Sequence, residues 1–129
     1  MQFIDLKTQY ALLKPQIDAR IQSVLEAQAF IQGPDVREFE TALAEFSGAK
    51  RVVTCANGTD ALQLALMALG IGAGDAVFVP SFTYTATAEV ILLLGARPVF
   101  VDSDPDTFNI DFDSAETAIE RTRREGVLR

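Results

Sequence analysis

The stretch VTCANGTDALQLALMALG, residues 53–70, joins a β-rich apolar run to an apolar helix through the polar turn NGTD, residues 57–60. β-branched residues favour a buried strand over 51–56, and the almost wholly apolar segment 60–70 predicts a helix that is covered on both sides. Backbone N–H groups in a helix's first turn lack intrahelical partners, and such groups attract anions. The stretch therefore predicts a strand, a turn and a helix whose start can hold a negative charge.

Strands and helices alternate beyond this stretch. AVFV (76–79) and PVFV (98–101) are predicted strands, and ATAEVILLLG (86–95) is a predicted helix that its final glycine closes. DSAETAIERTRR (113–124) is predicted as a helix, because its first Asp and the Glu three residues later form a capping-box pattern. The alternation predicts a mostly parallel sheet.

Two amphipathic helices are predicted before it. Apolar residues recur at helical spacing after Pro15, which a helix tolerates in its first turn, so 15–29 is predicted to be helical. The break FIQGPD (30–35) interrupts this helix, and a second helix of the same kind ends at Gly48.

Composition narrows the functional classes. The 129 residues are 49% hydrophobic with a net charge of -7, which suits a globular protein and argues against nucleic acid or an anionic membrane as partner. Histidine is absent, which removes the commonest general base and metal ligand. Cys55 is the only cysteine, so no intramolecular disulfide can form. We interpret Cys55 as a small core residue and expect a cytoplasmic protein.

The NGTD turn has two interpretations. It can be a helix cap, in which Asn57 or Thr59 satisfies first-turn donors and Gly58 relieves backbone strain, and from the residues alone this is the simpler interpretation. It can also be a phosphate cradle, in which Gly58 lets a ligand approach and Thr59 supplies a hydroxyl at the positive end of the helix dipole. No Walker loop is present, and GIGAGD (70–75) follows a helix, so it predicts a helix stop and a tight turn.

The segment PSFTYTAT (80–87) follows a predicted strand, at the carboxyl edge where open α/β sheets bind ligands. Phe82 or Tyr84 could lie against a flat ring there. The alternative, which residue type alone favours, is that both aromatic side chains fill the gap between helix and sheet.

Acidic residues cluster after the third predicted strand, at Asp102, Asp104, Asp106 and Asp113. Their spacing is superficially that of a calcium loop, but Thr107 stands where the loop's glycine belongs. A solvated turn is predicted, and no metal site.

Five segments together resemble the DegT/DnrJ/EryC1/StrS family of sugar aminotransferases: FIDLKTQY, FIQGPDVREFE, CANGTDALQLALMALGIGAGD, PSFTYTATAEVILLLGARPVFVD and DPDTFNID. The resemblance spans essentially the whole chain and is closest to the UDP-2-acetamido-3-keto-glucuronate type. It implies part of the α/β fold of pyridoxal-phosphate-dependent transferases (fold type I), a three-layer αβα sandwich with a mostly parallel sheet. The chain would be the N-terminal part of the large domain, with helices over 1–48 and βα units over 51–125.

The resemblance also implies roles for individual residues. The phosphate of the cofactor, pyridoxal 5'-phosphate, would be held by the backbone of Gly58, Thr59 and Asp60 together with the Thr59 hydroxyl. Tyr84 would stack on the pyridine ring. In the FIQG loop, Gln32 and Gly33 would approach the sugar substrate.

The family's reaction needs a Schiff-base lysine and an acidic partner for the pyridine nitrogen. Lys7, Lys14 and Lys50 lie outside the lysine position of the pattern, which falls beyond Arg129. The resemblance implies that the complete protein is a homodimer that passes an amino group from glutamate to a keto-sugar nucleotide. The 129 residues, which lack the lysine, are expected to be inactive alone. The alternative is a non-catalytic remnant or regulator that keeps a phosphate-binding scaffold and dimerises.

Overall fold

The computed structural model describes residues 3–126. The chain divides into two compact units, Met1–Thr54 and Cys55–Arg129. Within residues 3–126, no helix combines the length and the apolar content that crossing a membrane requires.

The first unit holds helix α1, Leu6–Ala27, and helix α2, Pro34–Ser47. Helix α1 begins nine residues before the predicted start, because Asp5 caps it: the carboxylate accepts the backbone N–H of Thr8 at 3.0 Å and its hydroxyl at 2.7 Å. The placement of Pro15 in a first turn was therefore wrong. Pro15 lies inside the helix, where one backbone hydrogen bond is missing.

The break between α1 and α2 lies where it was predicted. Gly33 is the N-cap of α2, with a proline following at the first helical position. A Cβ atom on Gly33 would lie 2.5 Å from the backbone oxygen of Ala29, so no side chain fits there without a backbone shift. Helix α2 ends at Gly48 in the left-handed conformation (φ 72°), which confirms the predicted stop.

The predicted strand over 51–56 is wrong. These residues form no strand, and none of residues 3–126 pairs with them. A strand needs a neighbouring strand to pair with its backbone N–H and C=O groups. Here the backbone N–H of Thr54 donates instead to the Glu40 carboxylate at 2.9 Å, and the Thr54 hydroxyl donates to the same oxygen at 2.8 Å. These two bonds hold the pKa of the Glu40 carboxyl below its ordinary value of 4.5.

The second unit is an alternation of helices and strands. Its elements are α3 (Gly58–Ala68), β1 (Ala76–Pro80), α4 (Ala86–Leu93), β2 (Arg97–Val101) and α5 (Phe112–Arg124). Strands β1 and β2 pair in parallel, with Ala76 opposite Arg97 and Pro80 opposite Val101. The predicted strands, the crossover helix and the parallel pairing are confirmed for this pair.

The two faces of the sheet carry separate cores. On one face, Val79 packs with the buried residues Val90 and Ile91 of α4. On the other face, Val99 and Val101 pack with the buried alanines of α5. Helix α3 joins the first face, where its Leu66 packs on the same cluster. Helix, sheet and helix therefore form three layers, which confirms the predicted partial αβα sandwich.

Helix α3 is covered on one side only by the residues described. It contacts α4, yet Leu62, Leu64, Met67 and Leu69 are exposed. The expectation that both sides of this apolar helix are covered is met for the α4 side alone.

Helix starts and stops follow local chemistry. Gly70 (φ 73°) and Gly95 (φ 75°) end α3 and α4 in the left-handed conformation, as predicted. The capping box predicted for α5 is wrong, because the N-cap is Asp111, whose carboxylate accepts the N–H groups of Asp113 at 2.9 Å and Ser114 at 3.0 Å. Asp113, the first residue of the predicted capping box, thus donates its backbone N–H to the cap and is not the N-cap itself.

Candidate phosphate site and sheet edge

The NGTD turn opens helix α3, and Asn57 is its N-cap. The Asn57 side-chain oxygen accepts the backbone N–H of Asp60 at 2.9 Å, and its amide nitrogen donates to the Asp60 carboxylate at 3.1 Å. The backbone oxygen of Asn57 accepts the N–H of Ala61 at 3.1 Å. Of the two predicted caps, Asn57 performs this role and Thr59 does not.

The cap leaves most of the first-turn donors free. Among residues 3–126, nothing accepts the backbone N–H of Gly58, the N–H of Thr59 or the Thr59 hydroxyl. The N–H of Asp60, by contrast, is already bonded to Asn57. Two N–H groups and one hydroxyl therefore remain as donors at the positive end of an eleven-residue helix, the donor set that binds anions.

Gly58 faces open space, since a Cβ atom built on it would meet no atom within 4 Å. Its φ is not in the left-handed region. The prediction that Gly58 relieves backbone strain was wrong, because any residue can adopt this conformation. The open front leaves room for a ligand at the backbone, and the binding role of Gly58 stays a prediction.

The carboxyl ends of β1 and β2 lie at one edge of the sheet, because the strands are parallel. The N–H of Ser81 donates to the Val101 backbone oxygen at 2.8 Å and continues the pairing by one residue. Phe82 and Tyr84 follow, and their side chains are 71% and 80% exposed. The interpretation that they fill the gap between helix and sheet was wrong, because Val79 and the α4 residues already fill it.

The start of α3 is expected at the same end of the helical layer as Tyr84, which directly precedes the N-cap of α4. The turns that end α3 and α4 lie side by side, since a Cβ on Gly95 would be 3.7 Å from the Cβ of Ala73. The two helices contact each other, the turns after them are adjacent, and α4 begins directly after β1, so we infer that α3 begins on the side where β1 ends. This arrangement brings the free donors of residues 58–59 to the side of the sheet edge that carries Tyr84.

Cys55 precedes the cap and is exposed. Its thiol donates to the backbone oxygen of Asn57 at 3.3 Å. The interpretation of Cys55 as a core residue was wrong, because it depended on the strand that does not form.

Asp102, Asp104 and Asp106 lie in the turn region after β2, as predicted, whereas Asp113 lies in the first turn of α5. The Asp104 carboxylate accepts the backbone N–H of Thr107 at 2.7 Å, its hydroxyl at 2.9 Å and the N–H of Asp106 at 3.1 Å. These bonds hold the pKa of the Asp104 carboxyl below its ordinary value, the Thr107 N–H having the largest effect. Sequence reasoning did not find that this turn ends in Phe108 at φ 58°, with its ring against Phe82.

Gln32 and Gly33 belong to the first unit. Gln32 is exposed and has a positive φ of 49°. Gly33 is buried, and the nearby backbone oxygen of Ala29 leaves no space for a side chain at this position. The substrate role of both residues stays a prediction.

Comparisons with known proteins give the family. The family model described as the DegT/DnrJ/EryC1/StrS aminotransferase family matches residues 12–128. The UDP-2-acetamido-2-deoxy-3-oxo-D-glucuronate aminotransferase of Pseudomonas aeruginosa is 57% identical over 119 residues, which are 92% of this chain and 33% of that protein.

Solved structures give the same result. The chain is similar over its full length to 35% of a DegT/DnrJ/EryC1/StrS aminotransferase from Brucella abortus, with a TM-score of 0.95 and 53% identity. It is also similar to NtdA of Bacillus subtilis with bound cofactor PMP, with a TM-score of 0.72 and 37% identity over 76% of this chain and 22% of that one. The chain thus spans about a third of the length of the first two proteins.

Proposed function

The chain belongs to the DegT/DnrJ/EryC1/StrS aminotransferase family, and from this we propose that the complete protein is a pyridoxal-phosphate-dependent aminotransferase. It transfers an amino group, from glutamate, to the keto group of a nucleotide-linked sugar. The similarity to the Pseudomonas enzyme supports a UDP-linked 2-acetamido-3-keto-glucuronate as the acceptor. The complete enzyme is a homodimer of the cytoplasm in this proposal.

The observation that carries the proposal is the set of free donors at the start of α3. A phosphate monoester is a small anion, and the N–H groups of Gly58 and Thr59 with the Thr59 hydroxyl supply three donors for its oxygens. The open space in front of Gly58 admits such a group. The residues present therefore fit the phosphate end of the cofactor.

Tyr84 supplies the second part of the fit. Tyr84 directly precedes the N-cap of α4, its ring is exposed, and an aromatic face can stack on a flat heteroaromatic ring. When bound, pyridoxal phosphate would supply an electron sink for the transfer of the amino group. Thr59 holds one end of the cofactor in this proposal and Tyr84 limits the tilt of its ring.

Asn57 and Asp60 have a supporting role. Their two reciprocal hydrogen bonds fix the turn, so that the free N–H groups of residues 58–59 are held ready before the ligand binds. Asp60 is thereby assigned to the turn and not to direct contact with the phosphate.

The proton-transfer lysine is assigned to residues outside this sequence. The three lysines, Lys7, Lys14 and Lys50, all belong to the first unit. Lys14 is engaged with Asp18 and lies 5.5 Å from the centroid of the Tyr10 ring. We assign Gln32 and Gly33 to the sugar substrate, on the resemblance alone.

The test uses the protein made from the complete coding sequence that contains these residues. Addition of pyridoxal phosphate is expected to produce the absorption band of the protein-bound cofactor, and glutamate is expected to discharge it. Addition of the keto-sugar nucleotide should restore the band and yield an amino sugar. A protein that gives no band with pyridoxal phosphate rejects the proposal and favours the non-catalytic alternative.

A further inference from the structure

We propose that Phe108 is a positioning residue for Tyr84. Its ring packs against Phe82 and thereby sets the position of the loop over residues 81–85, which carries Tyr84. The inference rests on the proposed function, because it gives Tyr84 a cofactor ring to meet.

The two rings bridge the loops that follow β1 and β2. Their centroids are 5.8 Å apart and the ring planes are tilted by 41°, a favourable geometry for an aromatic pair. Phe82 is two residues before Tyr84 and more than half exposed, as is Phe108. A contact between two such exposed side chains is not explained by the two cores, neither of which includes them.

The loop over 81–85 is held by its backbone only at its ends. At one end the N–H of Ser81 donates to Val101, and at the other the backbone oxygen of Tyr84 accepts the N–H of Thr87 at 3.0 Å. Among residues 3–126, no backbone hydrogen bond holds residues 82 and 83. The hydroxyls of Thr83 and Thr87 share a hydrogen bond at 3.2 Å, which ties residue 83 to the adjoining helix α4. The Phe82 ring is the point at which a side chain from the loop after β2 contacts the middle of this loop.

Phe108 is held in an unusual conformation. Its φ of 58° lies in the left-handed region, which is strained for a large side chain and easy for glycine or asparagine. The turn around it fixes this conformation, because the N–H of Phe108 donates to the Asp104 backbone oxygen and the N–H of Asp104 donates to Asn109, both at 2.9 Å. A strained residue that its surroundings fix in this way suggests a function for its side chain.

Because Phe108 is strained, the substitution Phe108→Asn distinguishes a ring that has no role at the cofactor from a ring that positions the loop. If the ring has no role, Phe108→Asn relieves the backbone and changes nothing at the cofactor. If the ring positions the loop, the same substitution keeps the turn and frees the loop, so that Tyr84 no longer holds one orientation.

The experiment uses the complete protein with pyridoxal phosphate. The readouts are the cofactor dissociation constant and the visible circular dichroism of the bound cofactor divided by its absorbance, which reports how asymmetrically its ring is held. Phe108→Asn is expected to lower this ratio and to weaken binding about 2- to 12-fold, the range of an aromatic pair. Phe108→Tyr keeps a ring and should restore both values.

Two further variants make the test specific. Phe82→Leu removes the other ring, should give the same loss, and should add little to the loss in Phe108→Asn. Phe112→Leu is the matched control, because Phe112 is an exposed phenylalanine at the start of α5. It should leave both values unchanged.

A folded Phe108→Asn protein with the unaltered ratio and affinity would overturn the inference. If that variant does not fold, Phe82→Leu decides in the same way, because it leaves the Asp104 turn intact. An unaltered protein that binds no pyridoxal phosphate would refute the proposed function and this inference together. Normal binding with an unchanged ratio in the variants would refute the inference alone.

Discussion

Replacement of Thr59 by valine is the sharpest test of the phosphate site. Valine keeps the shape and the β-branching of threonine and has a similar helix propensity, so only the hydroxyl is lost. That hydroxyl has no partner among residues 3–126, and its removal should leave the free energy of unfolding nearly unchanged. A hydrogen bond to a charged group contributes about 1.5–3 kcal/mol, which corresponds to an affinity loss of about 10- to 150-fold.

The assay compares two ligands that differ only in the phosphate. The complete protein, freed of cofactor, is titrated with pyridoxal phosphate and with pyridoxal. Thr59→Val is expected to weaken binding of the phosphorylated ligand alone, and Thr59→Ser, which keeps the hydroxyl, should bind it nearly as tightly as the unaltered protein does. Equal affinity of Thr59→Val and the unaltered protein for pyridoxal phosphate would refute the assignment of Thr59, and so would an equal loss for both ligands.

Three predictions concern stability. Ser103→Ala should raise the free energy of unfolding, measured by denaturant titration, by about 1–3 kcal/mol, because the buried Ser103 hydroxyl has no partner among residues 3–126. Ser114→Ala removes the acceptor of the Asp102 backbone N–H at 2.9 Å and should lower it. Gly33→Ala should destabilise by about 1–3 kcal/mol in the same assay, because its Cβ would meet a backbone oxygen at 2.5 Å. The hydrogen bonds from Thr54 lower the pKa of the Glu40 carboxyl. The Glu40–Thr54 contact therefore stabilises the fold fully above pH 4.5, and this stabilisation is lost as the pH falls through the lowered pKa. The difference in the free energy of unfolding between the unaltered protein and Glu40→Gln should disappear as the pH falls over that range. A difference that persists in stronger acid would contradict the assignment of this stabilisation to the ionised Glu40 carboxylate.

Features that depend on a few neighbouring residues could be predicted from the sequence. Gly48, Gly70 and Gly95 end their helices as expected, because the left-handed conformation that closes a helix depends on the residue itself. The parallel pairing of β1 and β2 was also accessible, since a crossover helix between two short apolar runs leaves few other topologies.

Features that depend on a distant partner could not be predicted. Residues 51–56 have the composition of a strand, but a strand exists only if another segment accepts its hydrogen bonds, and among residues 3–126 none does. The interpretation of Cys55 as a core residue was wrong for the same reason, because it depended on this strand. The exposure of Phe82 and Tyr84 was missed for a similar reason, because residue type does not show that other side chains already fill the space above the sheet.

The start of α3 shows why two competing interpretations of one turn can both hold. A first turn has several N–H donors and a single capping side chain satisfies only one of them, so a cap and an anion site can share a helix start. Which residue caps decides what remains. Because Asn57 takes the N–H of Asp60, the Thr59 hydroxyl is not used as a cap and stays available beside two free N–H groups. Had Thr59 been the cap, its hydroxyl would have been turned to its own helix and the donor set for a phosphate would have lost a member.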